Sequence, residues 1–200
     1  MIKLLENKSL TREQWLVLGM QELTSKVFQV ENIEVPTDIK VSCGFPLTGG
    51  KNSRKQTIGN CFSRSASKNK INEIFISPVL SESERVLDVL SHEMIHAIDD
   101  CQSGHKGAFR KMAKAIGLEG KMTATSAGEK LTEKLKEIIS RIGNYPHGEV
   151  STNVAKKQTT RNIKVACSEC DFSYRTSRKN IENMENNICN GCGEHSLYVE

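Results

Sequence analysis

The sequence predicts an α+β domain over residues 1–145, a linker over 146–162 and a small cysteine-rich module over 163–200. Two observations predict the domain: amphipathic helical stretches occur at both ends of residues 1–145, and short β-prone segments lie between them. A third observation predicts the module, because two Cys-x-x-Cys pairs follow a polar segment with little apolar periodicity.

Composition places the chain among soluble globular proteins. It has 200 residues, of which 37% are hydrophobic and 26% are charged, which suits one ordinary domain plus a small appendage. The N-terminal stretch has no basic region followed by an apolar run, and no apolar segment is long enough to span a bilayer. We therefore expect a cytosolic protein without a membrane partner, in which most of the seven cysteines are reduced or metal-bound.

The elements of the domain follow from periodicity and capping. A first helix over 11–30 is opened by a capping box between Thr11 and Gln14. Short β-prone runs predict a small, largely antiparallel sheet with a long basic loop. Glycines at 117 and 143 end two of the three later helices. The predicted strands and later helices cover residues 39–43, 57–62, 71–77, 81–100, 105–116 and 127–142.

His92-Glu93-Met94-Ile95-His96 is an HExxH motif on the predicted helix 81–100. Residues four apart lie on one helix face, so His92 and His96 can bind one ion while Glu93 stands beside it. We expect a capping box between Ser81 and Glu84 and an apolar arc opposite the histidines. The alternative is a pair of ordinary helix histidines, which the cap and the arc disfavour. The arc consists of Val86, Leu87, Leu90, Met94, Ala97 and Ile98.

A catalytic zinc ion needs a third protein ligand and an open position. We choose His105, which follows Gly104 after a turn-like segment and precedes an amphipathic helix. Glu93 is then placed to act as the general base that takes a proton from the attacking water. Other possible third ligands are Glu119, Glu129, His147 and His195.

The segment HEMIHAIDDCQSGHKGAF resembles the SprT-like family of zinc metallopeptidases, and GLEGKMTAT, NEIFISPVL and NYPH resemble its phage-encoded members. The resemblance implies a minimal, zincin-like peptidase domain, with His92, His96 and His105 as ligands and Glu93 as the catalytic residue. It also implies a bacterial or phage-infected host cytosol and, from the Spartan branch, protein substrates trapped on DNA. Lys106 departs from the family, which often has a second glycine there.

The cysteines of the C-terminal module have the spacing of a closed structural zinc site. Its 38 residues are too few to bury a core without such a staple. A redox-active dithiol is disfavoured because no βαβ pattern surrounds the pairs. We therefore predict a zinc ribbon and two zinc ions per chain, one catalytic and one structural. The four ligands are Cys167, Cys170, Cys189 and Cys192.

Basic residues cluster around the suspected active site in sequence, although the net charge is only +4. No acidic residue occurs between Ile39 and Asn72, and a second cluster (Lys106, Arg110, Lys111 and Lys114) follows His105. Such clusters suit a polyanionic partner, and we expect nucleic acid, with DNA favoured. The candidate contacts are Lys51, Arg54, Lys55, Arg64, Lys68 and Lys70, with Arg175, Arg178 and Lys179 in the ribbon.

Two functions remain in competition. The first is a zinc metallopeptidase that acts on nucleic-acid-associated proteins. The second is a zinc-stabilised nucleic-acid-binding or transcription-associated factor without enzymatic activity. Glu93 favours the enzyme, because a purely structural metal site has no need of a carboxylate beside an open position.

Overall fold

The structure is a computed structural model that describes residues 10–46, 57–151, 162–184 and 186–200. The chain divides into two compact units, Met1–Asn153 and Val154–Glu200. This division lies within the predicted linker 146–162, and the domain bounds themselves stay a prediction. Among the helices in the described ranges, none has the length and apolarity needed to cross a membrane.

The described part of the first unit is a mixture of helices and small sheets, as predicted for an α+β fold. Its elements, in chain order, are α1 (Arg12–Leu23), β1 (Ile39–Cys43), β2 (Gly59–Phe62), β3 (Asn72–Ile76), α2 (Ser83–Ile98), α3 (Gly107–Ala115), β4 (Leu118–Lys121), β5 (Ala124–Ala127) and α4 (Glu129–Ile142).

The first helix begins as predicted. Thr11 caps α1, its hydroxyl accepts from the Gln14 amide, and the Gln14 side chain accepts from the Thr11 amide. The helical path continues through a π-turn at Thr24–Phe28 and a 3-10 turn at Gln29–Glu31. The predicted extent, 11–30, is therefore confirmed, although its last two turns are not α-helical.

The strands of the first sheet are found where they are predicted. A largely antiparallel sheet is expected from the sequence, but one of the two strand pairings is parallel. The strand order is β1-β3-β2. β3 pairs antiparallel with β2 and parallel with β1. Two parallel strands need a long connection between them. Here the chain leaves β1, forms β2 at the other edge of the sheet, and then returns to form β3 in the middle. Local sequence patterns do not reveal such a non-sequential neighbour.

Helices α1, α2 and α4 enclose the core of this unit, and the sheet covers it on one side. The predicted apolar arc of α2 is buried: Val86, Leu87, Leu90, Met94 and Ala97 have no exposed surface, and Ile98 is partly buried. Burial of this arc turns the opposite side of α2, with both motif histidines, away from the core.

The predicted cap of α2 is wrong. The N-cap residue is Glu82, whose carboxylate oxygens accept from the amides of Glu84 (2.8 Å) and Arg85 (2.6 Å). The cap is therefore not Ser81; Ser83, the first residue of the helix, accepts a hydrogen bond from the Tyr145 amide (2.9 Å). A carboxylate serves as well as a hydroxyl at this position, because it also interacts favourably with the helix dipole.

A two-stranded antiparallel hairpin of β4 and β5 follows α3, and the sequence analysis did not predict it. Gly117, in the left-handed region at φ +89°, ends α3 and starts the hairpin. After α4, the chain remains attached to this unit: Arg12 donates to the Gly148 carbonyl (2.7 Å), and the Val150 amide donates to the Pro78 carbonyl (2.8 Å).

The second unit contains a three-stranded antiparallel sheet in the order β7-β6-β8, formed by β6 (Ile163–Cys167), β7 (Ser173–Thr176) and β8 (Leu197–Val199). All three strands lie close to the short β-prone runs that the sequence predicts over 163–166, 172–175 and 197–199. A five-residue helix α5 (Arg178–Glu182), capped by Ser177, was not predicted.

Candidate metal centres and active site

Three histidines converge on one point in the first unit. α2 presents His92 and His96 on its solvent side, and His105 lies in the turn before α3. His105 Nε2 is 3.3 Å from His92 Nε2 and 3.3 Å from His96 Nε2. These three residues form a group that can hold a metal ion.

The spacing of these nitrogen atoms fits a tetrahedral metal site. Two ligands bound to zinc at roughly 2.0–2.1 Å with tetrahedral angles are about 3.3–3.4 Å apart. The two measured nitrogen separations have this value. Phe109, which has no exposed surface, packs 4.4–5.1 Å from all three imidazole centroids and restricts their rotation.

The electrostatic environment keeps these imidazoles neutral. Burial, together with the neighbouring histidines, lowers the pKa of His92 to about 3 and that of His96 to about 4. Burial also lowers the pKa of His105. Neutral imidazole is the form that binds metals, so the three side chains are ready to act as ligands near neutral pH.

Thr125 orients His92. The Thr125 hydroxyl is buried on β5, 2.8 Å from His92 Nδ1. When His92 Nε2 faces a metal, Nδ1 carries the ring proton, and this N–H group donates a hydrogen bond to Thr125 Oγ1. No sequence pattern marks Thr125, because its role depends on the β4–β5 hairpin, which is not predicted from the sequence.

Glu93 lies beside the histidines with only 6% of its surface exposed. Its carboxylate packs against β2 at Gly59. Burial raises the pKa of Glu93 to about 8, with a smaller contribution from the nearby Cys101 thiol. A carboxyl group with such a pKa can both accept and release a proton near neutral pH.

A cleft of about 600 Å³ gives access to this group. One wall is β2 with the residues before it, and the other is the segment Thr123–Thr125. Cys61 and Cys101 also line the cleft. As cysteines outside the two Cys-x-x-Cys pairs, they are expected from the sequence to be reduced core thiols, but both are half-buried.

The backbone around His105 does not require glycine at position 106. Gly104 (φ +54°) and Gly107 (φ +46°) adopt left-handed conformations, whereas Lys106 has φ −122°. Glycine is therefore needed on either side of the His105–Lys106 pair and not at Lys106 itself.

The other possible third ligands are not part of the histidine group. Glu119, for example, packs against Gly128 at the end of the hairpin. Tyr145 is directed away from the cleft: its ring packs edge-on against Trp15 at 5.1 Å, and its hydroxyl is 3.8 Å from Cys43 Sγ.

The four cysteines of the second unit form another group that can hold a metal ion. Cys167 Sγ is 3.7 Å from Cys192 Sγ, and Cys170 Sγ is 3.6 Å from Cys189 Sγ. Tetrahedral ligands at roughly 2.3 Å from zinc would be about 3.8 Å apart.

Backbone amides surround the cysteine sulfurs. The Glu169 amide donates to Cys167 Sγ, and the Gly191 amide donates to Cys189 Sγ, both at 3.3 Å. Such bonds stabilise thiolates. Against the effect of burial, hydrogen bonds from Ser196 and the Glu169 amide lower the pKa of Cys167 to about 6.

The predicted nucleic-acid contacts are spread over both units. Lys51, Arg54 and Lys55 lie outside the described residues. Lys68 and Lys70 are exposed, and Arg64 is half-buried and paired with Asp38 at 3.0 Å. Arg175, Arg178 and Lys179 are exposed on the second unit. The cluster that follows His105 is exposed on α3 and the turn before it.

Comparison with known proteins gives one match. The model of the SprT-like family matches residues 37–128, which run from just before β1 to just after β5 and include the three histidines, Glu93 and Thr125. Neither the curated proteins nor the solved structures contain a significant match. Over residues 37–128, the chain is therefore similar to the SprT-like family.

Proposed function

We propose that this protein is a zinc-dependent metallopeptidase with a zincin-like catalytic domain. The observation that carries the proposal is a group of three imidazoles beside the buried Glu93 carboxylate, in which His105 Nε2 lies from His92 Nε2 and from His96 Nε2 at the separation that a tetrahedral zinc ion requires. Both lie on an accessible cleft, which a purely structural metal site would not need.

A zinc ion with three protein ligands and an open position activates a water molecule and polarises a peptide carbonyl. In the proposed reaction Glu93 accepts a proton from that water and later delivers it to the leaving amine. A cation next to Glu93 lowers the pKa of its carboxyl group, so the side chain is ionised when the proton has to be accepted.

Strand β2 offers a place for the substrate backbone. It forms one edge of the β1-β3-β2 sheet, and its residues Gly59–Cys61 line the cleft. An extended peptide can pair with such an edge, which would lay a peptide bond across the histidine group. This mode of binding reads the substrate backbone and suits a peptidase with broad sequence tolerance.

The second unit is proposed to be a zinc ribbon with a structural ion. Four thiolates close the coordination sphere, so no position is left for a substrate. Metal binding supplies folding free energy to a unit whose core is small.

We further propose that the substrates are proteins associated with DNA, in the cytosol of a bacterium or a phage-infected host. The exposed cations of α3 and its preceding turn adjoin the catalytic group, because His105 directly precedes them in the chain. Positive charge at this position would hold a polyanion near the cleft and raise the local concentration of proteins bound to it.

The second candidate function is a non-enzymatic nucleic-acid-binding factor. The two groups of metal-binding residues and the exposed cations fit this function as well as they fit a peptidase. The buried carboxylate of Glu93 does not fit it, because burying an ionisable group lowers stability and needs a functional explanation.

The decisive variant is Glu93→Gln, which keeps the shape of the side chain but cannot accept the proton. It is expected to retain both zinc ions and DNA affinity while losing cleavage of an unfolded protein. Glu137→Gln is the matched control, because Glu137 is exposed on α4 and forms no ion pair within the described residues.

Charge reversal of Lys51, Arg54 and Lys55 should have the converse effect. DNA binding should weaken and lose part of its salt dependence, while cleavage of a free peptide continues. If wild type and Glu93→Gln are equally inert on protein substrates, with and without DNA, while DNA binding is tight, the binding-factor function replaces the enzyme.

A further inference from the structure

The outer face of the β1-β3-β2 sheet carries aromatic side chains. Along β3, Ile74 and Ile76 point inward and have no exposed surface, so Glu73 and Phe75 point outward. Phe62 on β2 pairs with Glu73 and therefore shares this outer face. Helices α1 and α2 pack against the sheet from the core side.

These side chains form a pocket of about 270 Å³ at a distance from the catalytic cleft. The rings of Phe62 and Phe75 meet edge to face, with centroids 5.7 Å apart. Phe45, 46% exposed, and Pro46 complete the apolar lining. The pocket thus presents aromatic surface to a ligand instead of contributing it to the core.

One polar pair marks the wall of the pocket. The Ser67 hydroxyl, which is buried, donates to Glu73 Oε1 at 2.9 Å. Glu73 is thereby fixed, and its other carboxylate oxygen is free of any hydrogen bond to described residues. It can accept a hydrogen bond from a ligand inside the pocket.

The charge around the pocket is positive. Residues 39–72 contain seven basic and no acidic side chains. Lys40 pairs with Glu73 across β1 and β3, and Lys68 and Lys70 are exposed between β2 and β3. None of the ion pairs between described residues includes these three lysines, so their charges are free to attract an anion.

We propose that this pocket binds an unpaired base of single-stranded DNA, with the three lysines contacting the adjacent phosphates. Aromatic rings that stack on bases beside cations are the common design of single-strand binding surfaces. A base inside a duplex could not enter, because its faces are covered by its neighbours. The choice of DNA over RNA and over an aromatic protein side chain rests on the proposed function.

Glu73 gives the pocket a preference among bases. A carboxylate can accept a hydrogen bond from the amino group of cytosine. Thymine has a carbonyl oxygen at the corresponding position, and this oxygen cannot donate a hydrogen bond to the carboxylate. The site should therefore take cytosine in preference to thymine, and Glu73→Gln, which supplies a donor as well, should remove most of this preference.

The test measures binding of fluorescent 12-nucleotide oligo-dC and oligo-dT to the full zinc-loaded chain by anisotropy. Phe75→Leu and Phe45→Ala are each expected to weaken oligo-dC binding roughly 5- to 100-fold. Tyr174→Leu, which removes an aromatic ring from the second unit, is the control and should bind like wild type. Zinc content and Trp15 fluorescence verify folding, and Phe45→Ala keeps the test valid if Phe75→Leu does not fold.

Three results would overturn the proposal: unchanged oligo-dC affinity in folded Phe45→Ala, loss confined to Tyr174→Leu, or tighter binding of oligo-rC than of oligo-dC. Cleavage of a free, unstructured peptide without DNA is measured in parallel. If the wild-type protein cleaves the peptide but does not bind DNA, only the proposed base-binding pocket is refuted. If it binds DNA but does not cleave the peptide, only the proposed peptidase activity is refuted.

Discussion

The carboxylate of Glu93 lies so close to Gly59 that a β-carbon at position 59 would be 2.6 Å from Glu93 Oε1. The same β-carbon would be 2.6 Å from Val89 Cγ1. Position 59 therefore has to be glycine for Glu93 to occupy its place between α2 and β2. The edge strand that lines the cleft also fixes the position of the proposed general base.

Gly59→Ala should displace the Glu93 side chain and leave the three histidines in place, because the added β-carbon would meet Glu93 and Val89. We expect zinc content to be unchanged and the cleavage rate of an unstructured peptide to fall about 100-fold, since displacement by about 1 Å costs this much in an oriented active site. Gly148→Ala is the control, because its β-carbon would meet no atom within 4 Å. A wild-type rate in Gly59→Ala would show that Glu93 need not occupy this position.

Thr125→Val should weaken zinc binding at the histidine group roughly 10- to 100-fold, because His92 loses the acceptor that orients its ring. The measurement is a chelator competition against the full chain, with the nitrogen chemical shifts of His92 reporting its tautomer. Thr125→Ser keeps the hydroxyl and should restore the affinity. Equal affinity in the valine and serine variants would contradict a positioning role for Thr125.

Stability of the metal-free first unit should depend on pH through Glu93. Its pKa is raised to about 8 by burial in the folded state and is near 4.3 when unfolded. The folded state therefore holds the extra proton between these values, and stability falls as pH rises through this range. The depressed pKa values of the histidines act in the opposite sense: they raise stability as pH rises, most strongly below about pH 6.5.

Between pH 6.5 and 8, the free energy of unfolding of wild type should therefore drop by about 1 to 2 kcal/mol relative to Glu93→Gln, which keeps the contribution of the histidines. Fluorescence of Trp15 reports it, because this tryptophan is the only one in the chain and is fully buried in the first unit. Glu93→Gln should show a smaller drop. An identical slope in both proteins would mean that Glu93 is already ionised in the folded state.

Much of this organisation is predictable from sequence because its signals are local. The Thr11 capping box, the apolar arc of α2 and the glycine ends of α3 and α4 depend on neighbours within one or two helical turns. The convergence of His105 on His92 and His96 was also expected, since HExxH fixes two positions and a short turn can return the third.

What could not be predicted depends on contacts distant in sequence. The parallel pairing of β1 with β3 requires knowledge of which strand occupies the middle of the sheet. Thr125 is 33 residues from His92, and nothing in a polar hairpin strand marks one hydroxyl as an acceptor. The half-buried Cys61 and Cys101 illustrate the same limit, because apolar residue type alone suggested that they lie in the core.

The central claim is that catalysis depends on zinc at the histidine group, and the most direct test is peptide cleavage measured against bound zinc in three proteins. Wild type should hold two zinc ions and cleave. Cys189→Ser should hold one ion and still cleave a free peptide, whereas His105→Ala should hold one ion and fail to cleave. Cleavage by His105→Ala, or a single zinc ion in wild type that His105→Ala retains, would contradict the account.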